Sequence, residues 1–196
     1  MNRVNRSQIK GFTLVELMVA LAIMAILVMA AAPNFSAAVK RNRIESQLKD
    51  LSGHVKLARS EAISRSRTVT ICRSSDQATC STAAPVGDWS IGWITFLDLN
   101  GNATVDGDDI VLRVHGGLEQ NILTVTDSNP IPGNVGDIQF TRNGVDSRVT
   151  FEMCEDGGEN KMARALIMEL TGRLMWSTDS DSNDVFEDIL GNDLSC

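Results

Sequence analysis

One carboxylate in this chain stands where an apolar surrounding makes a charge expensive. Residues 12–35 form a mainly apolar stretch with Glu16 as its only charge, and an ionised carboxylate within lipid costs several kcal/mol unless a positive partner meets it. The chemistry open to Glu16 is therefore charge neutralisation, which demands a function of it. A second set of candidates lies in Asp98-Leu99-Asn100-Gly101-Asn102-Ala103-Thr104-Val105-Asp106-Gly107-Asp108-Asp109. Asp98, Asn100, Asn102, Asp106 and Asp109 fall at loop positions one, three, five, nine and twelve, the spacing with which a calcium loop offers hard oxygen ligands. Position six is Ala103, where the sharp turn wants glycine, and position twelve is Asp109, where a longer glutamate would chelate. Asn and Asp are also ordinary turn residues. The run is read as a metal-free turn, with no cofactor expected and calcium as the candidate ion. Asp179, Asp181, Asp184, Glu187 and Asp188 form a looser acidic stretch, read as a solvated loop, and residues 177–183 are polar enough to be mobile.

Cys72, Cys80, Cys154 and Cys196 all lie downstream of the apolar stretch, and their even count suggests two disulfides in an oxidising compartment. Of the three connectivities, we expect Cys72 with Cys80, closing a short local loop, and Cys154 with Cys196, tying down residues that would otherwise fray. Catalysis finds few instruments: two histidines, no tyrosine, and no Ser-His-Asp or His-Glu-x-x-His spacing. No enzyme activity is expected. His54, between Gly53 and Val55, is read as structural, and Trp89, Trp93 and Trp176 as core.

The elements that must position these residues follow from charge and periodicity. Residues 1–67 hold eleven Lys/Arg against four Asp/Glu, whereas residues 68–196 hold seven against 21, a net −14. Arg3, Arg6 and Lys10 precede the apolar stretch, and a positive flank keeps the amino terminus cytoplasmic. A helix over residues 12–32 would span about 30 Å, the thickness of a hydrocarbon core. Ile44, Leu48, Leu51, Val55, Ala58 and Ala62 then recur alternately four and three apart, marking an amphipathic helix to about residue 67. The cluster Lys40-Arg41-Asn42-Arg43 is read as a solvated helix face near lipid headgroups. Beyond it the pattern turns to short β-type runs at 68–72, 93–97, 110–114, 122–126, 138–141, 148–154 and 165–170, punctuated by Asn100-Gly101, Asp106-Gly107, Asn143-Gly144 and Thr171-Gly172. These predict one antiparallel sheet folded over the helix.

Gly11-Phe12-Thr13-Leu14-Val15-Glu16-Leu17 resembles the prepilin processing motif. Val69-Thr70-Ile71-Cys72, Cys80, and the run from Asp88 through Trp89 and Trp93 to Asp98 resemble the head of the GspH/FimT group of minor pilins and H-type pseudopilins, and the likeness covers most of residues 11–176. It implies cleavage after Gly11 by a prepilin peptidase, N-methylation of Phe12, and a role for Glu16 in neutralising the ammonium of a neighbouring subunit and setting axial register. Pro33 falls where pilins carry a helix-kinking proline. The fold implied is α+β, the type IV pilin fold, with a long N-terminal helix packed on an antiparallel head. Its parts would be a cleaved basic leader at 1–11, a transmembrane and assembly helix at 12–35, an amphipathic helix at 36–67 and a periplasmic head with two disulfides at 68–196. The function implied is a minor pilin that initiates or caps type IV pilus assembly. Its partners would be other minor and major pilins or pseudopilins, the peptidase, and an inner-membrane assembly platform. It would sit in the inner membrane as a single-pass protein before entering the fibre. The alternatives are an H-type pseudopilin of a type II secretion system and a DNA-receptor minor pilin. For the latter, Gly172-Arg173 matches the start of a Gly-Arg-x-Arg motif of competence-type relatives, with Met175 in place of the second arginine. An acidic head repels phosphate, so nucleic acid is not an expected partner.

Overall fold

The computed structural model describes residues 12–83, 85–127 and 135–196. Gly11 and the expected leader lie outside the described residues, as do the side chains of Val28 and residues 30–34, which include the expected kink residue Pro33. The chain divides into two compact units, Met1–Lys40 and Arg41–Cys196.

The helix α1 (Leu14–Arg65) contributes to both units. Within the first, Thr13 caps it: the Glu16 N–H donates to Thr13 Oγ1 at 3.2 Å, and the Leu17 N–H to the Thr13 carbonyl at 3.2 Å. Leu14, Val15, Leu17, Met18 and Leu21 are all exposed. Among the described residues no helix is long and apolar enough to cross a membrane.

In the second unit α1 buries one stripe. Ile44, Leu48, Leu51, Val55, Ala58 and Ala62 are each at most 1% exposed, because their spacing returns them to one side of a 3.6-residue turn. Each large member stabilises by roughly 1.5–3 kcal/mol relative to exposure. The helix ends at Arg65, two residues before the expected 67, because Ser66 takes φ 51° and turns the chain out.

Nine strands follow: β1 (Thr68–Arg73), β2 (Trp93–Asp98), β3 (Ile110–His115), β4 (Asn121–Asp127), β5 (Asp137–Thr141), β6 (Gly144–Val145), β7 (Val149–Glu155), β8 (Arg164–Met168) and β9 (Leu174–Trp176). The seven expected runs each find their strand within two residues at either end. They do not form the expected single sheet. One sheet runs β3-β2-β1-β5-β6 and the other β4-β7-β8-β9, every pairing antiparallel. Alternation tells which face of a strand is buried but not which strand lies beside it. The two sheets meet where the Val145 N–H donates to the Leu170 carbonyl at 2.9 Å and the Trp89 N–H to the Leu123 carbonyl at 2.8 Å.

Two outer layers complete the burial. Ile94 and Phe96 on β2 pack with Cys72, Cys80 and Val105, so β2 is buried along its whole length. Cys154, Ala163 and Ala165 pack with Phe186 and Leu194 from the segment after β9. A disulfide lies in each layer, Cys72–Cys80 in the first and Cys154–Cys196 in the second. The Ser195 N–H donates to Glu152 and the Cys196 N–H to Asn160 Oδ1, which fastens that segment further. Trp89 and Trp93 are core, but Trp176 is 43% exposed, against expectation, because β9 forms the edge of its sheet.

Candidate functional site

The Thr13-Leu14-Val15-Glu16 tetrad is an N-terminal capping sequence with its acid at the third helical position. The Thr13 hydroxyl satisfies a backbone donor of the first turn, and the Glu16 carboxylate sits where the helix dipole favours a negative charge. No group among the described residues pairs with that carboxylate, and Phe12 beside it is exposed. The geometry leaves Glu16 available to a cation from another molecule.

The two acidic loops take one course. Asp98 accepts the N–H groups of Gly101 and Asn102 on Oδ1 and of Ala103 on Oδ2, and Asp179 accepts those of Ser182 and Asn183 on Oδ1 and of Asp184 on Oδ2. Asn100 and Asn102 then accept two residues ahead, as Asp181 and Asn183 do. Positive φ angles recur at matching places, Gly101 73° and Ala103 59° in the first loop, Ser182 65° and Asp184 69° in the second. The stretch read as a solvated, mobile loop is thus closed by its own hydrogen bonds, and Glu187 is buried, accepting the Ser180 N–H at 2.9 Å. That bond and those from the Ser180 hydroxyl and the Asp181 N–H hold the Glu187 carboxyl below its ordinary value. Carboxylate oxygens of Asp179, Asp181 and Glu187 lie within 4.8 Å of one another, an array of hard donors able to hold a divalent cation. In the first loop Asn100 and Asn102 turn their amide N–H groups on Asp106, at 3.1 and 2.7 Å. Asp109 closes the loop by accepting from Leu99 and Asp106. The signal for the second loop lay in positions 179, 181, 183 and 187, and the absence of an acid at position 190 masked it.

Arg173 is exposed on the turn into β9 and borders a cleft of about 460 Å³ with Lys56 and Arg59 of α1. Gly172 makes this possible: its φ is +72°, and a Cβ there would meet Arg59 Cδ at 3.2 Å. The other side of α1 carries His54, completely buried, with Nδ1 2.7 Å from Thr95 Oγ1 and Nε2 without a partner among the described residues. His115 stacks on Trp93 at 3.9 Å, and Asp50 receives Arg113 at 2.5 Å and His115 at 3.4 Å. Burial, then the charge of Arg113, lowers the His54 pKa to about 4. This cluster joins α1 to β2 and β3.

Residues 47–172, more than half the chain, match the family model described as type II transport protein GspH. The chain belongs to the GspH family. Residues 6–32 match the prokaryotic N-terminal methylation motif, which places Phe12, Thr13 and Glu16 inside a segment that directs membrane anchoring and incorporation into a pilus. Among solved structures, this GspH-family chain is similar to the type IV minor pilin FimU of Pseudomonas aeruginosa strain PAO1. One FimU crystal form, in space group P21, has a TM-score of 0.51 and 25% identity, over 70% of this chain and 90% of that one. Another, in space group P65, has a TM-score of 0.49 and 22% identity, over 68% and 92%. Among curated proteins the chain has no significant match. The family and the pilin fold are those of structural subunits, which assemble with other pilin-class chains after peptidase processing.

Proposed function

We propose that this chain is a minor pilin, a subunit that primes or caps a type IV filament. The observation that carries the reading is Glu16, a carboxylate without a partner among the described residues, on a capped helix start, five residues after Gly11 and within an apolar run. Cleavage after Gly11 would create an ammonium at Phe12, and the carboxylate of an adjacent subunit would neutralise it where water is scarce. N-methylation of Phe12 keeps that positive charge. The basic leader holds the amino terminus in the cytoplasm, residues 12–35 cross the inner membrane once, and the disulfide-bearing head lies in the periplasm. Its activity is packing, so neither a catalytic centre nor a resident cofactor belongs to it. The test is Glu16→Val. The variant is expected to insert into the membrane normally while its share in sheared filaments drops at least several-fold, and undiminished incorporation removes the role of Glu16.

A second reading is an H-type pseudopilin of a type II secretion system, favoured by the description of the matching family. The Cys72–Cys80 link and the likeness to FimU support the pilus reading instead. Deleting the gene separates them: a minor pilin's loss depletes surface filaments, whereas a pseudopilin's loss blocks export of folded proteins.

A further inference from the structure

Of the second unit's cations without an ion pair among the described residues, Arg73 and Arg164 donate to backbone carbonyls instead and Arg41 lies near Arg164; the other five are Lys56, Arg59, Arg67, Arg142 and Arg173. They are not scattered. Lys56, Arg59 and Arg173 line the 460 Å³ cleft, Arg59 and Arg142 a neighbouring one, and Arg67 and Arg142 a third. The first two clefts share Arg59 and Ile63, and the last two share Arg142, so the cations form a continuous stripe. Apolar wall is supplied by Ile63, Leu174 and the exposed Trp176. Along the first cleft runs β9, whose pairing among the described residues is with β8 alone. A strand edge leaves backbone N–H and C=O groups ready to pair with another chain.

We infer that this cleft docks an extended acidic segment of another protein, added alongside β9 with its carboxylates on Lys56, Arg59 and Arg173. Side chains on one face of such a strand recur every second residue, about 6.8 Å apart, so carboxylates at alternate positions would all turn into the cleft toward its cations, beside Leu174 and Trp176 of its wall. Guanidinium groups receive carboxylates through two parallel hydrogen bonds, and backbone pairing along β9 adds affinity. A protein segment fits better than nucleic acid. Residues 41–196 carry 14 Lys/Arg against 24 Asp/Glu, so a long phosphate backbone leaving the stripe would run over acidic surface, whereas a short segment ends within it. The inference holds independently of the filament reading, because binding is measured on this chain alone.

The experiment uses the full chain in detergent micelles, a fluorescent ten-residue peptide alternating Asp and Val, the same peptide N-methylated at alternate amides, and oligo-dT of equal charge. The acidic peptide is expected to bind, to weaken with salt, and to lose about tenfold in affinity with Arg173→Glu and with Lys56→Glu. The N-methylated peptide is expected not to bind. Arg173→Gln and Lys56→Gln carry the same direction of effect should a charge reversal fail to fold. Binding of oligo-dT in preference to the peptide, equal binding of both, full binding of the N-methylated peptide, or binding of neither overturns the proposal.

Discussion

His54 shows how much of a residue's behaviour comes from what is packed on it. Its folded pKa of about 4 lies below the ordinary 6.5, chiefly through burial. As pH falls below 6.5 the unfolded ring takes up a proton while the folded ring refuses it, so stability drops through the window from 6.5 to about 4. The slope attributable to this one group approaches 1.4 kcal/mol per pH unit, about the energy of one pKa unit. Urea denaturation at pH 7 and pH 5 is expected to show that loss, and His54→Leu should flatten it; an unchanged slope in the variant would assign the pH sensitivity elsewhere. Asp50 on α1 and Arg113 and His115 on β3 face the same cluster and set the background against which the difference is read. None of this could be read from the sequence, where His54 stands among helix residues and its partners Thr95, Arg113 and His115 lie more than forty positions away. Glu16 is the contrary case. Its anomaly is local, one charge in an apolar run, so the chain discloses it directly.

At the scale of elements, Gly144 at the seam of the two sheets carries a sharp constraint. Its φ is +130°, and a Cβ would lie 2.3 Å from the Leu170 carbonyl oxygen, a backbone atom that cannot swing away. Gly144→Ala is expected to cost about 2–4 kcal/mol in chemical denaturation through strain and clash. Gly107→Ala provides the comparison, since φ there is +48° with nothing within 4 Å, and should cost about 1 kcal/mol. The two disulfides differ in the length of chain they close, 42 residues for Cys154–Cys196 and 8 for Cys72–Cys80. Chain entropy makes the longer closure worth about 1.5 kcal/mol more, so replacing Cys154 and Cys196 by Ser should lower stability further than replacing Cys72 and Cys80, as measured by urea midpoints. The elements that escaped sequence reading share a cause. β6 and β9 are two and three residues long, too short for alternation to register, and the sheet partition depends on contacts that no local pattern encodes. By contrast β2, with Trp93, Ile94, Phe96 and Leu97 supplying apolar side chains to both faces, already carried the mark of a strand covered on both sides.

For the whole molecule, the division at Lys40 has a direct consequence. Every buried cluster is built from residues beyond it, beginning at Ile44. The fragment 41–196 is therefore expected to unfold cooperatively on its own, with a sigmoidal thermal transition by circular dichroism, and a gradual melt would mean that the first unit supplies stability. The chain also contains no tyrosine and three tryptophans, and these report on separate places. Trp89 lies in the core against Phe151, Trp93 lies flat against His115 beneath the helix, and Trp176 faces solvent at the edge of β9. Ultraviolet emission from the native protein thus holds a blue-shifted component from the interior and a red-shifted one from the basic cleft, so that core integrity and cleft occupancy can be watched optically without attaching a dye.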